Sequence, residues 1–243
     1  QVCHQSIKNT DSCAPLTHSP LPSQCAHVYM VQVLQLFHAP ECMTITSMHT
    51  PNIPLVLGST SVYRRELLAR LGLSFSVDKP EVDETPHPNE SPRALSLRLA
   101  KAKAQAVASR HPHAVVIGSD QVADLNGKPL GKPGTHAKAV AQLQSMRGQT
   151  VFFHTALAVV CQDTGFECSD IATIRVVFRN LSDDEIERYL QREQPYDCAG
   201  SAKSEGLGIA LLETIESDDP TALIGLPLIR TCQLLRDAGV QIP

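Results

Sequence analysis

The sequence predicts one mixed α/β domain, and three observations carry that prediction. From Ile53 onward, short apolar runs alternate with amphipathic stretches. Turns built of Gly and Ser close two of those runs, and capping signals open the stretches between them. The 243 residues suffice for one substantial core, and 42% hydrophobic with 19% charged residues is ordinary globular composition. Trp is absent and aromatics are only 4%, so the core is expected to be aliphatic.

Taken in order, Leu55 to Leu57 reads as a first buried strand ending in Gly58-Ser59-Thr60-Ser61. Ser61 suits the cap of a helix through Leu71, with Gly72 at its C-terminal end. Phe75 to Val77 reads as a second strand. Asp78 to Pro92 is polar, carries four prolines and reads as loop. Ser91-Pro92 opens a long helix to about Arg110, because Pro fits the first helical turn. Ala114 to Ile117 is a strand expected to end at Gly118-Ser119-Asp120. Asn126-Gly127 is a hairpin-type turn. Thr135 to Met146 reads as a helix, and Val151 to Cys161 and Ile171 to Phe178 as long paired strands. Ser182-Asp183-Asp184-Glu185 is a capping box opening a helix toward Arg192, and Pro227 to Ala238 forms a last helix stopped by Gly239. No internal repeat is found.

Residues 1–52 differ in kind from residues 53–243. Residues 1–50 hold one Lys, no Arg, five of the ten His, four of the eight Cys and three of the four Met. The apolar run Val28 to Phe37 is too short to span a bilayer, and no basic n-region or cleavage site marks a secretory signal. A zinc site there lacks C-x-x-C or H-x-x-x-H spacing. The segment reads as a disordered tail, or as upstream sequence before a start at Met43 or Met48. The later cysteines are scattered without a pairing pattern, which fits reduced thiols and a cytoplasmic protein. A net charge of −4 gives no general pull toward nucleic acid, so an anionic ligand would need a local cluster of bases.

Such clusters occur at successive strand ends. In Gly58-Ser59-Thr60-Ser61-Val62-Tyr63-Arg64-Arg65, small residues admit an anion to backbone N–H groups and the helix N-terminus adds its positive dipole end. Two arginines in that first turn oppose the dipole, which phosphate nearby would explain; they read equally as solvated charges. Glu81-Val82-Asp83-Glu84 groups three carboxylates that repel unless a cation intervenes, and hard oxygens suit Mg²⁺ or Mn²⁺; alone, it reads as an acidic solvated loop. Lys101 and Lys103 lie two apart on a helix, so at most one points into a given cleft. Asp120, at the predicted carboxyl end of a buried strand, is placed for a general base or metal ligand. Gly131-Lys132-Pro133 is a rigid loop able to present one ammonium, and Ala199 to Gly206 is a second small-residue loop. A P-loop signature is absent.

In that order, these motifs resemble the Maf family of nucleoside triphosphate pyrophosphatases from Leu55 to about Gly239. They are S-x-S-x-x-R-R at Ser59, E-V-D-E at Glu81, L-A-x-x-K-A ending at Ala104, G-S-D at Gly118, G-K-P at Gly131 and A-G at Ala199. The resemblance implies a twisted mixed sheet flanked by helices around a deep nucleotide-binding cleft. It also implies hydrolysis between the α- and β-phosphates with a divalent metal, Mg or Mn. It places the catalytic carboxylate on Asp120, phosphate contacts on Ser59, Arg64, Lys103 and Lys132, and the metal near Asp83 and Glu84. Three positions, Tyr63, Gln121 and Glu205, look like the specificity residues of the branch that hydrolyses 7-methyl-GTP, rather than the branch that cleaves dTTP or UTP. The 7-methyl-GTP branch often has Trp where Tyr63 stands, and Val62 replaces a usual Pro. The chemistry agrees, since a methylated guanine carries positive charge that an aromatic face stabilises by about 0.5–2 kcal/mol. Glu205 would accept its ring N–H donors while opposing that charge. The remaining expectations are a nucleotide as partner, no nucleic acid or membrane, and self-association to a homodimer left open. A non-catalytic nucleotide-binding regulator of cell division is the alternative of a different class.

Overall fold

The computed structural model of the chain describes residues 53–242, and the readings made for residues 1–52 lie outside them. Twelve regular elements follow one another. They are β1 (Leu55–Gly58), α1 (Val62–Ala69), β2 (Ser76–Asp78), α2 (Pro92–Ala108), β3 (Val115–Leu125), β4 (Lys128–Leu130), α3 (His136–Met146), β5 (Thr150–Cys161), β6 (Phe166–Phe178), α4 (Asp183–Glu193), β7 (Leu212–Glu216) and α5 (Leu228–Asp237). The caps act as the sequence suggests. Ser61 Oγ accepts from Arg64 N–H at 3.4 Å, and Ser91 Oγ from Ala94 N–H at 3.2 Å with Pro92 following. Ser182 and Glu185 exchange both bonds of a capping box, at 3.2 and 2.8 Å.

The strands form one seven-stranded mixed sheet in the order β2-β1-β3-β5-β6-β7, with β4 paired to β3. β1 runs parallel to β2 and β3, and the other pairings are antiparallel. Strand alternation sorts side chains onto two faces. Leu55, Leu57, Val115, Ile117, Leu157 and Val159 pack with Leu67 and Leu68 of α1 and Leu235 of α5. Val56, Val116, Ala158 and Val160 turn the other way, onto Ala104 and Val107 of α2. A further core joins Leu143 of α3 and Leu190 of α4 to Phe153, Ile174 and Phe178 of the long strands. No helix among the described residues is long and apolar enough to cross a membrane.

Three elements depart from the sequence reading. The strand expected to end at Gly118-Ser119-Asp120 continues to Leu125, because beyond Gly118 it keeps its antiparallel partner β5 although β1 has stopped. Asp120 therefore sits inside a strand, two residues past the end of the parallel neighbour. β6 starts five residues before Ile171, at Phe166, and β7 has no counterpart in the sequence reading; its exposed LETIE edge lacks the apolar signal that marks an inner strand.

Candidate active site

The cleft opens where β1 gives out. β1 pairs with β3 only as far as Gly58 opposite Gly118, and the chain then turns through Ser59–Ser61 into α1. Only one of the two adjacent arginines aims inward. Arg64 Nε donates to the Gly225 carbonyl at 2.9 Å and Nη1 to Ser59 Oγ at 3.4 Å, whereas Arg65 is exposed. Burial lowers the pKa of Arg64, and the nearby charges of Asp120 and Glu84 oppose that shift. A guanidinium titrates so high that it stays charged.

β3 and α2 together place the central ion pair. The side chains of Val116, Gly118, Asp120 and Val122 alternate onto the α2 face, as the packing of Val116 on Ala104 and of Val122 on Leu95 and Leu99 shows. On α2, Leu95, Leu99, Lys103 and Val107 recur every fourth residue and are buried, so Lys103 occupies a core-facing position. Lys101, two residues away, points elsewhere and is only half-buried. The two elements touch at Gly118, where an added Cβ would lie 2.4 Å from Ala100 O and from Ala104 N. That close approach brings Lys103 Nζ to 2.7 Å from Asp120 Oδ1. The same ammonium meets Glu84 Oε1 at 2.6 Å, pinning the otherwise irregular 79–90 loop over the cleft.

These charges shape one another. Desolvation raises the pKa of Asp120, and Glu84 adds to the effect. Lys103 and Arg64 pull it back without cancelling it. Burial also pushes Glu84 up, but the hydrogen bond and charge of Lys103, with Lys132 and Arg64, outweigh it and leave Glu84 below the ordinary range. Lys132 is exposed on a loop tied at both sides, through Gly131 O to Gln142 at 3.0 Å and Gly134 N–H to Tyr196 O at 2.9 Å.

The other end of the cleft is aromatic and acidic. Tyr63 is half-buried and its Oη accepts from Cys198 Sγ at 3.8 Å. Burial and that hydrogen bond keep it a neutral phenol, and burial pushes the Cys198 thiol up to about 12. Lys203 Nζ lies 5.6 Å from the Tyr63 ring centroid. Burial raises the pKa of Glu205, with Lys203 opposing and Glu193 and Asp197 adding to the rise. Gln121 points to the opposite side of β3 from Asp120. Its Nε2 donates to Thr155 Oγ1 and to the carbonyls of Ala222 and Leu223, so its amide orientation is fixed.

One cavity of about 700 Å³ borders Ser59, Tyr63, Arg64, Glu84, Lys103, Asp120, Gln121, Lys132 and Glu205 together. Asp83 is the exception among the predicted residues. It is exposed, and its carboxylate accepts from Thr85 N–H at 2.9 Å. The sequence reading also missed the 222–225 turn, whose carbonyls hold Arg64, Ser119 and Gln121. Backbone acceptors leave no residue-type signal. Of the carboxylates proposed for a metal, Glu84 and Asp120 face the cavity and share one ammonium, a pair of hard oxygen donors that fits Mg²⁺ or Mn²⁺ bound partly through phosphate. Among the described residues, no group of three or more His, Cys, Asp or Glu side chains is arranged to hold a metal by itself.

This fold and this convergence of bases and one strand-borne carboxylate place the chain in a defined class: it belongs to the Maf-like protein family, which residues 54–238 match. Among its relatives, the 7-methyl-GTP pyrophosphatase of Polaromonas sp. (strain JS666 / ATCC BAA-500) is 71% identical over 197 residues, covering 81% of this chain and 90% of that protein. The 7-methyl-GTP pyrophosphatase of Albidiferax ferrireducens is 63% identical over 188 residues, 77% of this chain and 94% of that protein. That of Aromatoleum aromaticum is 61% identical over 190 residues, 78% and 97% respectively.

Proposed function

We propose that this chain is a nucleoside triphosphate pyrophosphatase that hydrolyses the α–β phosphate bond of 7-methyl-GTP, releasing 7-methyl-GMP and pyrophosphate. The observation that carries the reading is the single cavity with the Lys103–Asp120 pair at one end and Tyr63 with Glu205 at the other. The names of the relatives support the same substrate. Free thiols at Cys161, Cys168, Cys198 and Cys232 support a reducing compartment, so the reading includes the cytoplasm.

In this reading the triphosphate lies among Arg64, Lys103 and Lys132. Its anionic oxygens compete with Glu84 for the Lys103 ammonium, freeing that carboxylate. Asp120 accepts a proton from water while the water oxygen bonds to the α-phosphorus. The α-phosphorus–oxygen bond to the β-phosphate breaks, and the electron pair leaves with pyrophosphate. The barrier falls mainly through charge neutralisation and positioning, as is general for phosphoryl chemistry. Glu84 and Asp120 would hold a divalent cation, which when bound neutralises phosphate charge. Around the base, Tyr63 supplies a stacking face, Glu205 a carboxylate for the ring N–H donors, and Gln121 a fixed amide.

Pyrophosphate release measured over 7-methyl-GTP, GTP, dTTP and UTP, with Mg²⁺ or Mn²⁺ and again with excess chelator, tests the proposal. The expected result is the highest kcat/KM on 7-methyl-GTP and loss of turnover with chelator. A pyrimidine preference would overturn the base-pocket assignment, and binding without turnover would favour a regulatory module.

A further inference from the structure

Lys203 and Glu193 have no part in the reaction above, yet they are built firmly against the base end of the cleft. Glu193 is the last residue of α4, where an acid opposes the helix dipole. Its two oxygens are both used, Oε1 on Lys203 Nζ at 3.0 Å and Oε2 accepting from Leu207 N–H at 2.8 Å. The Lys203 backbone is fixed as tightly. Its N–H donates to Tyr189 Oη at 3.1 Å, and its carbonyl accepts from Gly206 and Gly208 at 3.1 and 3.0 Å. A Cβ on Gly208 would come within 2.5 Å of Lys203 O, so the loop that carries Glu205 is folded directly over Lys203.

The ammonium held this way stands 5.6 Å from the centroid of the Tyr63 ring. Tyr63 borders the cavity and Lys203 does not, so the ammonium meets the ring without itself lining the space open to a base. Asp197 and Glu205 also border the cavity, and neither forms an ion pair among the described residues. A bare ammonium this close to the ring would oppose a positively charged base stacked on it. Glu193 removes that opposition.

The geometry points to Lys203 and Glu193 as a specificity-determining pair: Lys203 positions the Tyr63 ring, and Glu193 neutralises Lys203 so that a cationic purine is accepted on that ring. The assignment rests on the 7-methyl-GTP reading above. It gives the two residues separable effects. Lys203 sets how well any purine stacks, whereas Glu193 sets how strongly the charged ring is preferred over the neutral one.

The test is steady-state kinetics on 7-methyl-GTP and GTP with Lys203→Arg, Lys203→Met, Glu193→Gln and the Lys203→Met/Glu193→Gln double variant, with thermal melts reporting folding. Lys203→Arg keeps both the ring contact and the ion pair and should stay near the parent. Lys203→Met should raise KM for both substrates several-fold while kcat changes less than about twofold, because the reacting phosphate is remote. Glu193→Gln should lower the 7-methyl-GTP to GTP ratio of kcat/KM about tenfold, and the double variant should restore the ratio even if the loop is weakened. A parent enzyme without preference for 7-methyl-GTP overturns the substrate reading and this inference with it. A parent with that preference, whose Glu193→Gln variant keeps the full ratio, overturns this inference alone. A ratio lost in Glu193→Gln but not regained in the double variant would likewise reduce the pair to a loop clamp.

Discussion

Gly118 offers the sharpest test of how the catalytic pair is assembled. In Gly118→Ala the new methyl group would stand 2.4 Å from Ala100 O, 2.4 Å from Ala104 N and 2.8 Å from Ala104 Cα. Comfortable separations are about 3.5 Å, so α2 must retreat by about 1 Å, and no side-chain rotation can relieve a clash with helix backbone. Overpacking of this kind costs about 1–3 kcal/mol, and the upper half is expected here because both clashing elements are buried. For a domain of this size that is a fall in Tm of about 4–12 °C. The same retreat lifts Lys103 from Asp120, and a 1 Å misplacement can cost about 100-fold in rate. Calorimetry and pyrophosphate release on one preparation read both effects. An alanine variant that melts and turns over like the parent would refute the claim that this glycine sets the distance between helix and strand.

Four further outcomes are expected. Asp120→Asn should lose about 100-fold or more in kcat while a calorimetric titration without metal still detects nucleotide, since the bases Arg64, Lys103 and Lys132 remain and one opposing negative charge is gone. The rate requires Asp120 as carboxylate, and desolvation raises its pKa, so kcat/KM should fall as pH drops through a value above the ordinary aspartate range. Lys103→Met removes the main opposing charge, so the acid limb of the profile should move to higher pH; an unmoved limb would mean the limb belongs to another group. Ser182→Ala should lower Tm by about 2–4 °C through loss of about 1 kcal/mol of capping, with kcat unchanged because neither Ser182 nor the first turn of α4 borders the cavity.

Local chemistry made most of the fold legible. Ser61, Ser91 and Ser182 each announce a helix because one side chain meets an orphan N–H three residues on, a relation within reach of sequence. Gly118-Ser119 misled for the same reason. Small residues read as a turn, but Gly118 is small to admit a helix and Ser119 Oγ reaches the carbonyls of Ala156 and Gly225. The order of motifs pointed to Ser59, Arg64, Lys103, Asp120 and Lys132, and one cavity borders all five. What stayed hidden are contacts between distant stretches, such as Glu84 on Lys103, Arg64 on Gly225 and Lys203 over Tyr63. No spacing rule links residues that lie on different elements or loops. Asp83 shows the converse, since a carboxylate that looks available in sequence is occupied by its own loop.

The alternation along β3 has a consequence for how such proteins can diversify. Asp120 looks toward α2 while its neighbours Ser119 and Gln121 look toward the 222–225 turn, so inserting or deleting a single residue there would exchange their audiences and silence all three at once. The 79–90 tract belongs to no strand or helix, and doubling the length of such a loop costs only about 0.6 kcal/mol in closure entropy. Variation in length is thus cheap on the rim and ruinous on the spine, and differences in length should collect on the rim.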